Sequence, residues 1–149
     1  MRIMDGYCGL YCGACPLFLK TKNGEIEEFA AEKGLSVEDF ACSGCKSEQV
    51  AKWCRVCNLK KCAQEKDFDT CVECEDYPCA DLISFRDNPE YPYHQEIRAY
   101  LEEIKKEGKE VWLVSMKERW SCKNCGEPYN WYQLVCDKCK EKVNGYEKP

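Results

Sequence analysis

Histidine is almost absent from this chain, because His94 is the only one among 149 residues. This excludes HExxH metalloproteases and hydrolase sites built on two or three histidines. A Ser-His-Asp triad would have to use His94, and no nucleophile-elbow motif accompanies it. A P-loop and a GxGxxG motif are also missing from the sequence, so no nucleotide-binding class is indicated. We predict that His94 is a surface or helix-start residue.

Long apolar runs are lacking as well. No stretch approaches the ~20 residues that a membrane helix needs. Asp5, Gly6 and Gly9 interrupt the apolar residues near the N-terminus, which predicts that this segment is not a secretory leader. The formal net charge of −5 argues against bulk attraction to nucleic acid. We therefore expect a cytoplasmic protein with no membrane partner.

Cysteine is plentiful, with fifteen in the chain. Twelve of them form six C-x2-C pairs, a spacing that lets two thiolates from one turn reach the same tetrahedral metal ion. These pairs are Cys12/Cys15, Cys42/Cys45, Cys54/Cys57, Cys71/Cys74, Cys122/Cys125 and Cys136/Cys139. Disulfides are the competing interpretation, but an odd number leaves one thiol unpaired and the repeated spacing suits metal better. Metal in a reducing cytoplasm is the prediction.

The distribution of cysteine divides the chain. Residues 1–79 are predicted to be a multi-cysteine metal-binding domain, 80–120 a helical segment packed on it, 121–142 a zinc ribbon and 143–149 a frayed tail. Hydrophobic residues make up 44% of the chain, a count that includes the cysteines. Because the cysteines are counted among them, fewer apolar residues remain to build a core. A core this small usually needs metals or disulfides for stability. The predicted fold class is a small metal-stabilised, α-rich protein with irregular Cys-knuckle loops and a β-hairpin zinc ribbon at the C-terminus.

Helical patterns support the α-rich prediction. Ile26, Phe29 and Ala30 recur at helical spacing before Gly34. Ser36 to Asp39 is typical of a capping box for a short helix carrying Phe40. In the middle segment one helix is predicted to stop at Asn88-Pro89, and a longer one begins near Pro92 and ends at Gly108. A third is predicted from Val111 to Trp120. The apolar stripe of the longer helix comprises Tyr93, Ile97, Tyr100, Leu101 and Ile104, and is predicted to be core.

The last four cysteines have zinc-ribbon spacing. Ten residues separate the pair Cys122/Cys125 from the pair Cys136/Cys139, and Gly126 suits the turn after the first pair. Four protein ligands leave no open position, so the site is predicted to be structural. The spacer carries Tyr129, Trp131, Tyr132 and Leu134. They either pack beneath the knuckles, the interpretation we favour, or stack on bases or grip a partner.

The eleven N-terminal cysteines permit several partitions. Four C-x2-C pairs can form two four-cysteine sites, which leaves Cys8, Cys62 and Cys79 as further candidates. Those three are either free thiols or a third site completed by His94, a carboxylate, water or substrate. Alternatively, two C-x2-C-x4-C triples form a six-cysteine, two-metal cluster; they are Cys54/Cys57/Cys62 and Cys71/Cys74/Cys79. The sequence does not choose among these.

An iron–sulfur cluster is a further alternative. Cys8-x3-Cys12-x2-Cys15 has the cluster spacing of radical-SAM enzymes. Ala14 stands where those enzymes usually carry an aromatic residue, and the chain is too short for their barrel. Cys15-Pro16 is nevertheless typical of ferredoxin cluster loops. A redox protein using Cys8, Cys12 and Cys15 therefore stays open.

Four stretches carry a family resemblance. They are YCGLYCGACPLF from Tyr7 to Phe18, Cys42-Ser-Gly-Cys45-Lys46, Trp53-Cys54 with the following KKCA, and CVECEDYPC from Cys71 to Cys79. In these the chain resembles an uncharacterised prokaryotic family, domain-of-unknown-function family 3795. The resemblance implies a small, cytoplasmic, cysteine-rich, zinc-binding protein and brings no activity with it.

These observations predict a zinc-binding, non-enzymatic structural or interaction module. It would hold roughly three zinc ions at four cysteines each. A protein partner is expected, and the oligomeric state is open. Nucleic acid binding through the ribbon is an alternative, with Lys138, Lys140 and Lys142 as the contacts. An enzyme with an open zinc held by three cysteines and water is a weaker alternative.

Overall fold

The computed structural model describes residues 3–149, and in this range the protein consists of helices joined by irregular loops. Short 3₁₀ turns occur at Cys12–Ala14, Cys71–Glu73 and Pro92–Glu96. The α-helices in chain order are α1 Pro16–Lys22, α2 Ile26–Glu32, α3 Val37–Phe40, α4 Lys52–Arg55, α5 Asn58–Glu65, α6 Ala80–Arg86, α7 Ile97–Glu107 and α8 Lys109–Arg119. The structure is therefore helix-rich, as the sequence predicts.

A small core lies among helices α1 to α4. It contains Leu17, Ile26, Ala30 and Phe40, and the Cys42 side chain is buried with them. Helix α2 ends where the sequence predicts, because Gly34 adopts φ +67 and the backbone N–H of Leu35 turns back to the Ala30 carbonyl at 3.1 Å. The predicted capping box before α3 differs, since no side-chain hydrogen bond from Ser36 caps the helix.

The larger core is centred on the antiparallel pair α7 and α8. Gly108, at φ +89, joins the two helices. Ile97 and Leu101 on α7 pack with Trp112 on α8, and these three side chains are almost completely buried. The same core includes Tyr11 and Cys8 from the N-terminal part and residues of the C-terminal part. The middle helices thus hold both cysteine-rich regions in place.

A partly buried ion-pair network fixes the N-terminal loop. The side chain of Asp5 is only 6% exposed, and the ammonium group of Lys46 binds it. Lys46 also contacts Asp69 at 2.7 Å, and Lys109 at the start of α8 contacts Asp69 at 3.0 Å. The hydrogen bond from Lys46, followed by that from Lys109, outweighs desolvation and lowers the pKa of Asp69. The network joins the loop at residue 5, the Cys42/Cys45 knuckle and α8.

The C-terminal region corrects the predicted β-hairpin. Residues 121–142 contain two isolated antiparallel bridges, Ser121 with Pro128 and Val135 with Lys142, and no strand. The spacer cannot pair with itself because its backbone binds elsewhere. The N–H of Tyr129 donates to Trp120 at 3.0 Å, and that of Trp131 donates to Ala14 at 3.0 Å.

The first residues of the predicted tail contact the rest of the protein. Val143 is buried, and the Gly145 N–H donates to the Gln133 carbonyl at 3.0 Å. The Tyr146 hydroxyl donates to the Glu96 carboxylate at 2.6 Å. Residues 143–146 are thus attached to the protein through backbone hydrogen bonds and through the Tyr146 side chain. Separately, none of the helices within residues 3–149 has the length and apolar character to cross a membrane.

Candidate metal centre

Four cysteine sulfurs converge near the C-terminus. The Sγ atoms of Cys122, Cys125, Cys136 and Cys139 all lie within 4.8 Å of one another. The Cys122–Cys139 and Cys125–Cys136 sulfur pairs are each separated by 3.6 Å. Tetrahedral zinc with Zn–S bonds of about 2.3 Å requires sulfur separations of about 3.8 Å. The cluster therefore has the donor set and the size to bind one metal ion.

Two equivalent turns position these sulfurs. In the first, the Cys122 N–H donates to the Glu127 carbonyl at 2.8 Å and the Gly126 N–H donates to the Cys122 carbonyl at 2.8 Å. In the second, the Cys136 N–H donates to Glu141 at 2.8 Å and the Lys140 N–H donates to Cys136 at 3.0 Å. Each turn is closed by one of the antiparallel bridges. The first turn follows α8 directly, so the core helix anchors the cluster.

The sulfurs perturb one another's protonation. The pKa of Cys139 is lowered to about 6. Hydrogen bonds to its sulfur cause this, first from the Asn124 side chain, then from the Glu141 N–H and from the neighbouring thiols. At Cys125 the Glu127 N–H favours the thiolate, but desolvation and the three other sulfurs outweigh it and raise the pKa to about 12. Cys139 therefore holds its proton less tightly than Cys125 does. A divalent cation would displace the remaining protons.

Most spacer aromatics are packed inside the protein. Tyr129 is 3% exposed and lies against Trp120, with ring centroids 5.5 Å apart. Trp131 is 8% exposed and stacks on Tyr93 at 3.8 Å. Tyr132 packs edge-on to Tyr93 at 5.6 Å and is partly exposed. Leu134 is exposed. Tyr129 and Trp131 are therefore committed to the core, which counts against their stacking on nucleic acid bases.

The N-terminal cysteines form two neighbourhoods. The pKa of Cys54 is raised to about 12, first by burial and then by the charges of four neighbours, Cys42, Cys15, Cys45 and Cys57. The Cys45 N–H donates to the Cys12 sulfur at 3.4 Å, which adds Cys12 to this group. The second neighbourhood surrounds Cys71. The pKa of Cys71 is raised to about 12, first by burial and then by the charges of Cys79, Cys62, Cys74 and Cys57.

Cys8 and Cys57 lie between these two neighbourhoods. Cys8 is buried, and burial first, followed by the charge of Cys45, raises its pKa; Cys57 and Cys71 act in the same direction. The structure thus places Cys62 and Cys79 close to Cys71 and Cys74. Within residues 3–149, no second group of three or more metal-binding side chains converges tightly enough to hold an ion as the side chains are placed. Metal binding by the N-terminal cysteines stays a prediction.

His94 lies apart from this chemistry. Its ring stacks on Phe85 at 4.1 Å and on Tyr91 at 5.0 Å, and its Nδ1 is 2.8 Å from the Phe85 carbonyl oxygen. It lies in the 3₁₀ turn that leads into α7, but it is buried rather than at the surface. Desolvation lowers its pKa. Its role is therefore that of a neutral core side chain.

Sequence reasoning missed several side chains around the cysteines. Lys66 donates to the Cys74 sulfur at 3.5 Å, and Glu73 accepts from the Thr70 N–H at 2.9 Å. The sequence does indicate the contact of Glu73, because Thr70-x-x-Glu73 is a capping-box pattern before a 3₁₀ turn. Lys140 adopts φ +66 without being glycine or asparagine, so its sequence carried no signal.

The comparisons with known proteins concern the N-terminal half. A family model described as a protein of unknown function, DUF3795, matches residues 4–84, which is more than half of the chain. No curated protein and no solved structure matches this chain. The match includes all eleven N-terminal cysteines, whereas the converging cluster lies beyond it. The chain belongs to the DUF3795 family.

Proposed function

We propose that this protein is a zinc-binding, non-enzymatic interaction module with a structural zinc ribbon at residues 121–142. The observation that carries the proposal is the convergence of Cys122, Cys125, Cys136 and Cys139. Four thiolates are the donor set of structural zinc sites, and thiolates select soft or borderline metals over magnesium or calcium. We use "ribbon" for the paired knuckles and their shared ion.

The coordination chemistry favours a structural role. Four protein sulfurs fill a tetrahedral zinc shell, so no position remains for water or substrate. Cys122 and Cys136 are buried in the same core as Trp120 and Tyr129. An ion at this point would join the end of α8 to the C-terminal segment. Its free energy of binding would then contribute to the stability of the core.

The cysteines and the exposed side chains support a compartment and a class of partner for this proposal. All fifteen cysteines are free of disulfide bonds, which supports a reducing, cytoplasmic environment. Apolar side chains are exposed beside two cysteine turns: Trp53 and Val56 flank Cys54, and Leu134 and Val135 precede Cys136. Exposed apolar groups and a net charge of −5 favour a protein partner over nucleic acid.

Metal analysis of the full chain tests this proposal. Protein purified without oxygen should contain zinc and neither iron nor acid-labile sulfide. The double variant Cys125→Ser/Cys139→Ser should lose one zinc equivalent, and it retains the two buried cysteines of the cluster. Ser121→Ala is the matched control, because its hydroxyl binds the Lys117 carbonyl rather than a sulfur. Iron with sulfide, or an unchanged zinc content in the double variant, would contradict the proposal.

A further inference from the structure

A cavity of about 220 Å³ lies between α5 and the start of α6. Four cysteines line it, namely Cys62, Cys71, Cys74 and Cys79. Its floor is apolar and includes Leu59, Ala63 and Leu82. A water molecule takes up about 30 Å³ in the liquid, so the space is larger than a packing defect. The C-terminal cluster does not account for it, since none of its cysteines is in the lining.

Three separate elements deliver the sulfurs to this cavity. Cys62 lies on α5, Cys71 opens the 3₁₀ turn that Cys74 follows, and Cys79 is the residue directly before α6. The 3₁₀ turn is held in place from outside the cavity, because the Cys71 N–H donates to the Tyr7 carbonyl at 2.9 Å and Glu73 binds the Thr70 N–H. The four cysteines therefore come to one cavity through the fold and not through one short loop.

The chemistry of the lining is that of a soft-metal site. Four cysteines line one space, and Lys66 donates to the Cys74 sulfur at 3.5 Å. A lysine near thiolates compensates part of the negative charge that a zinc ion with four thiolates would carry. Asp76 and Asp81 also line the cavity, and carboxylates are weaker ligands for such an ion than thiolates are.

We propose that Cys62, Cys71, Cys74 and Cys79 hold a second zinc ion, which is more exposed than the ion of the ribbon. The inference rests on the proposed function in taking zinc as the metal of the chain. Each ligand thiol gives up its proton when the ion binds. As placed, the four sulfurs are not close enough together to hold an ion, so binding draws them inward. Cys62 is exposed, whereas Cys122 and Cys136 are buried, so this ion leaves and returns faster.

Differential alkylation of the unmodified full chain is the first test. Metal-free protein is titrated with zinc chloride, treated briefly with iodoacetamide and analysed by mass spectrometry for each cysteine. We expect Cys62, Cys71, Cys74 and Cys79 to lose reactivity together, as zinc fills a single site. If Cys62 or Cys79 stays reactive at zinc saturation, or if each is protected in a different step from Cys71 and Cys74, the assignment is overturned.

Zinc release to EDTA is the second test. Wild type should lose one zinc equivalent in a fast phase, and Cys62→Ser and Cys79→Ser should each abolish that phase while the slow release of the ribbon ion persists. Gln64→Ser is the matched control, because Gln64 is exposed on the same helix and does not line the cavity. A fast phase that survives both cysteine variants overturns this site alone. Absence of the slow phase from wild type would instead overturn the ribbon.

Discussion

Lys140 occupies in the second C-terminal turn the position that Gly126 occupies in the first. Both residues donate their backbone N–H to the carbonyl of the cysteine four residues earlier, at 3.0 Å and 2.8 Å. Both have positive φ, +66 for Lys140 and +79 for Gly126. A residue with a Cβ is strained in this region, whereas glycine is not. The two turns therefore have the same geometry but different conformational cost.

Lys140→Gly should therefore stabilise the zinc-bound protein. Relief of the left-handed strain is worth about 1 kcal/mol, reduced in part by the greater freedom of glycine in the unfolded chain. Urea denaturation of the zinc-loaded protein measures the change. Lys142→Gly is the matched control, because Lys142 is an exposed lysine with no positive φ and should lose stability on the same substitution. A Lys140→Gly protein no more stable than wild type would count against strain at this turn.

Gly44→Ala should be strongly destabilising. A Cβ on Gly44 would lie 1.8 Å from the Ile3 carbonyl oxygen, and the residue has φ +112. The backbone of the Cys42/Cys45 knuckle would have to move, at a cost of about 3 kcal/mol or more.

Gly24→Ala provides the comparison for that prediction. Gly24 also has positive φ, at +74, but a Cβ there would meet nothing within 4 Å. Gly24→Ala should therefore lower the free energy of unfolding only by the conformational cost of a Cβ at positive φ, about 1 kcal/mol. Thermal unfolding of the two variants separates the effects. Equal losses of stability would mean that the contact with Ile3 does not restrict the knuckle.

Local sequence patterns were sufficient for some parts of this protein. The end of α2 follows from Gly34, and the burial of Ile97, Leu101 and Ile104 follows from their helical spacing on α7. The convergence of the four C-terminal cysteines follows from their spacing, because each pair lies within one tight turn. These features depend on residues close together in the chain.

Other parts depend on tertiary contacts that one sequence does not display. Cys62 and Cys79 line one cavity although they belong to separate elements, and no spacing rule encodes that approach. The β-hairpin prediction was wrong because Trp131 binds the backbone of Ala14 instead of the opposite side of the spacer. The attachment of Tyr146 likewise needs Glu96, fifty residues away.

Lys46→Met should destabilise the protein through Asp5. The substitution keeps much of the buried stem of Lys46 but removes its charge, and it leaves the buried Asp5 carboxylate facing only Lys109 at 3.6 Å. An uncompensated buried charge of this kind costs about 3 kcal/mol. Urea denaturation at neutral pH measures it. Asp5→Asn/Lys46→Met should recover part of that loss, because the stranded charge is gone. A double variant as unstable as the sum of both single changes would exclude coupling between these residues.

Removal of zinc should expose tryptophan. Trp120 is 2% exposed and Trp131 is 8% exposed, and both share a core with Cys122 and Cys136. Structural zinc contributes about 10–16 kcal/mol in small domains, comparable to or above the total stability of a typical protein. EDTA should therefore release the C-terminal segment and shift tryptophan emission to the red. Trp53→Phe should keep the shift, because Trp53 is already 48% exposed, whereas Trp131→Phe should reduce it. Identical emission spectra with and without zinc would show that the core does not depend on the ion.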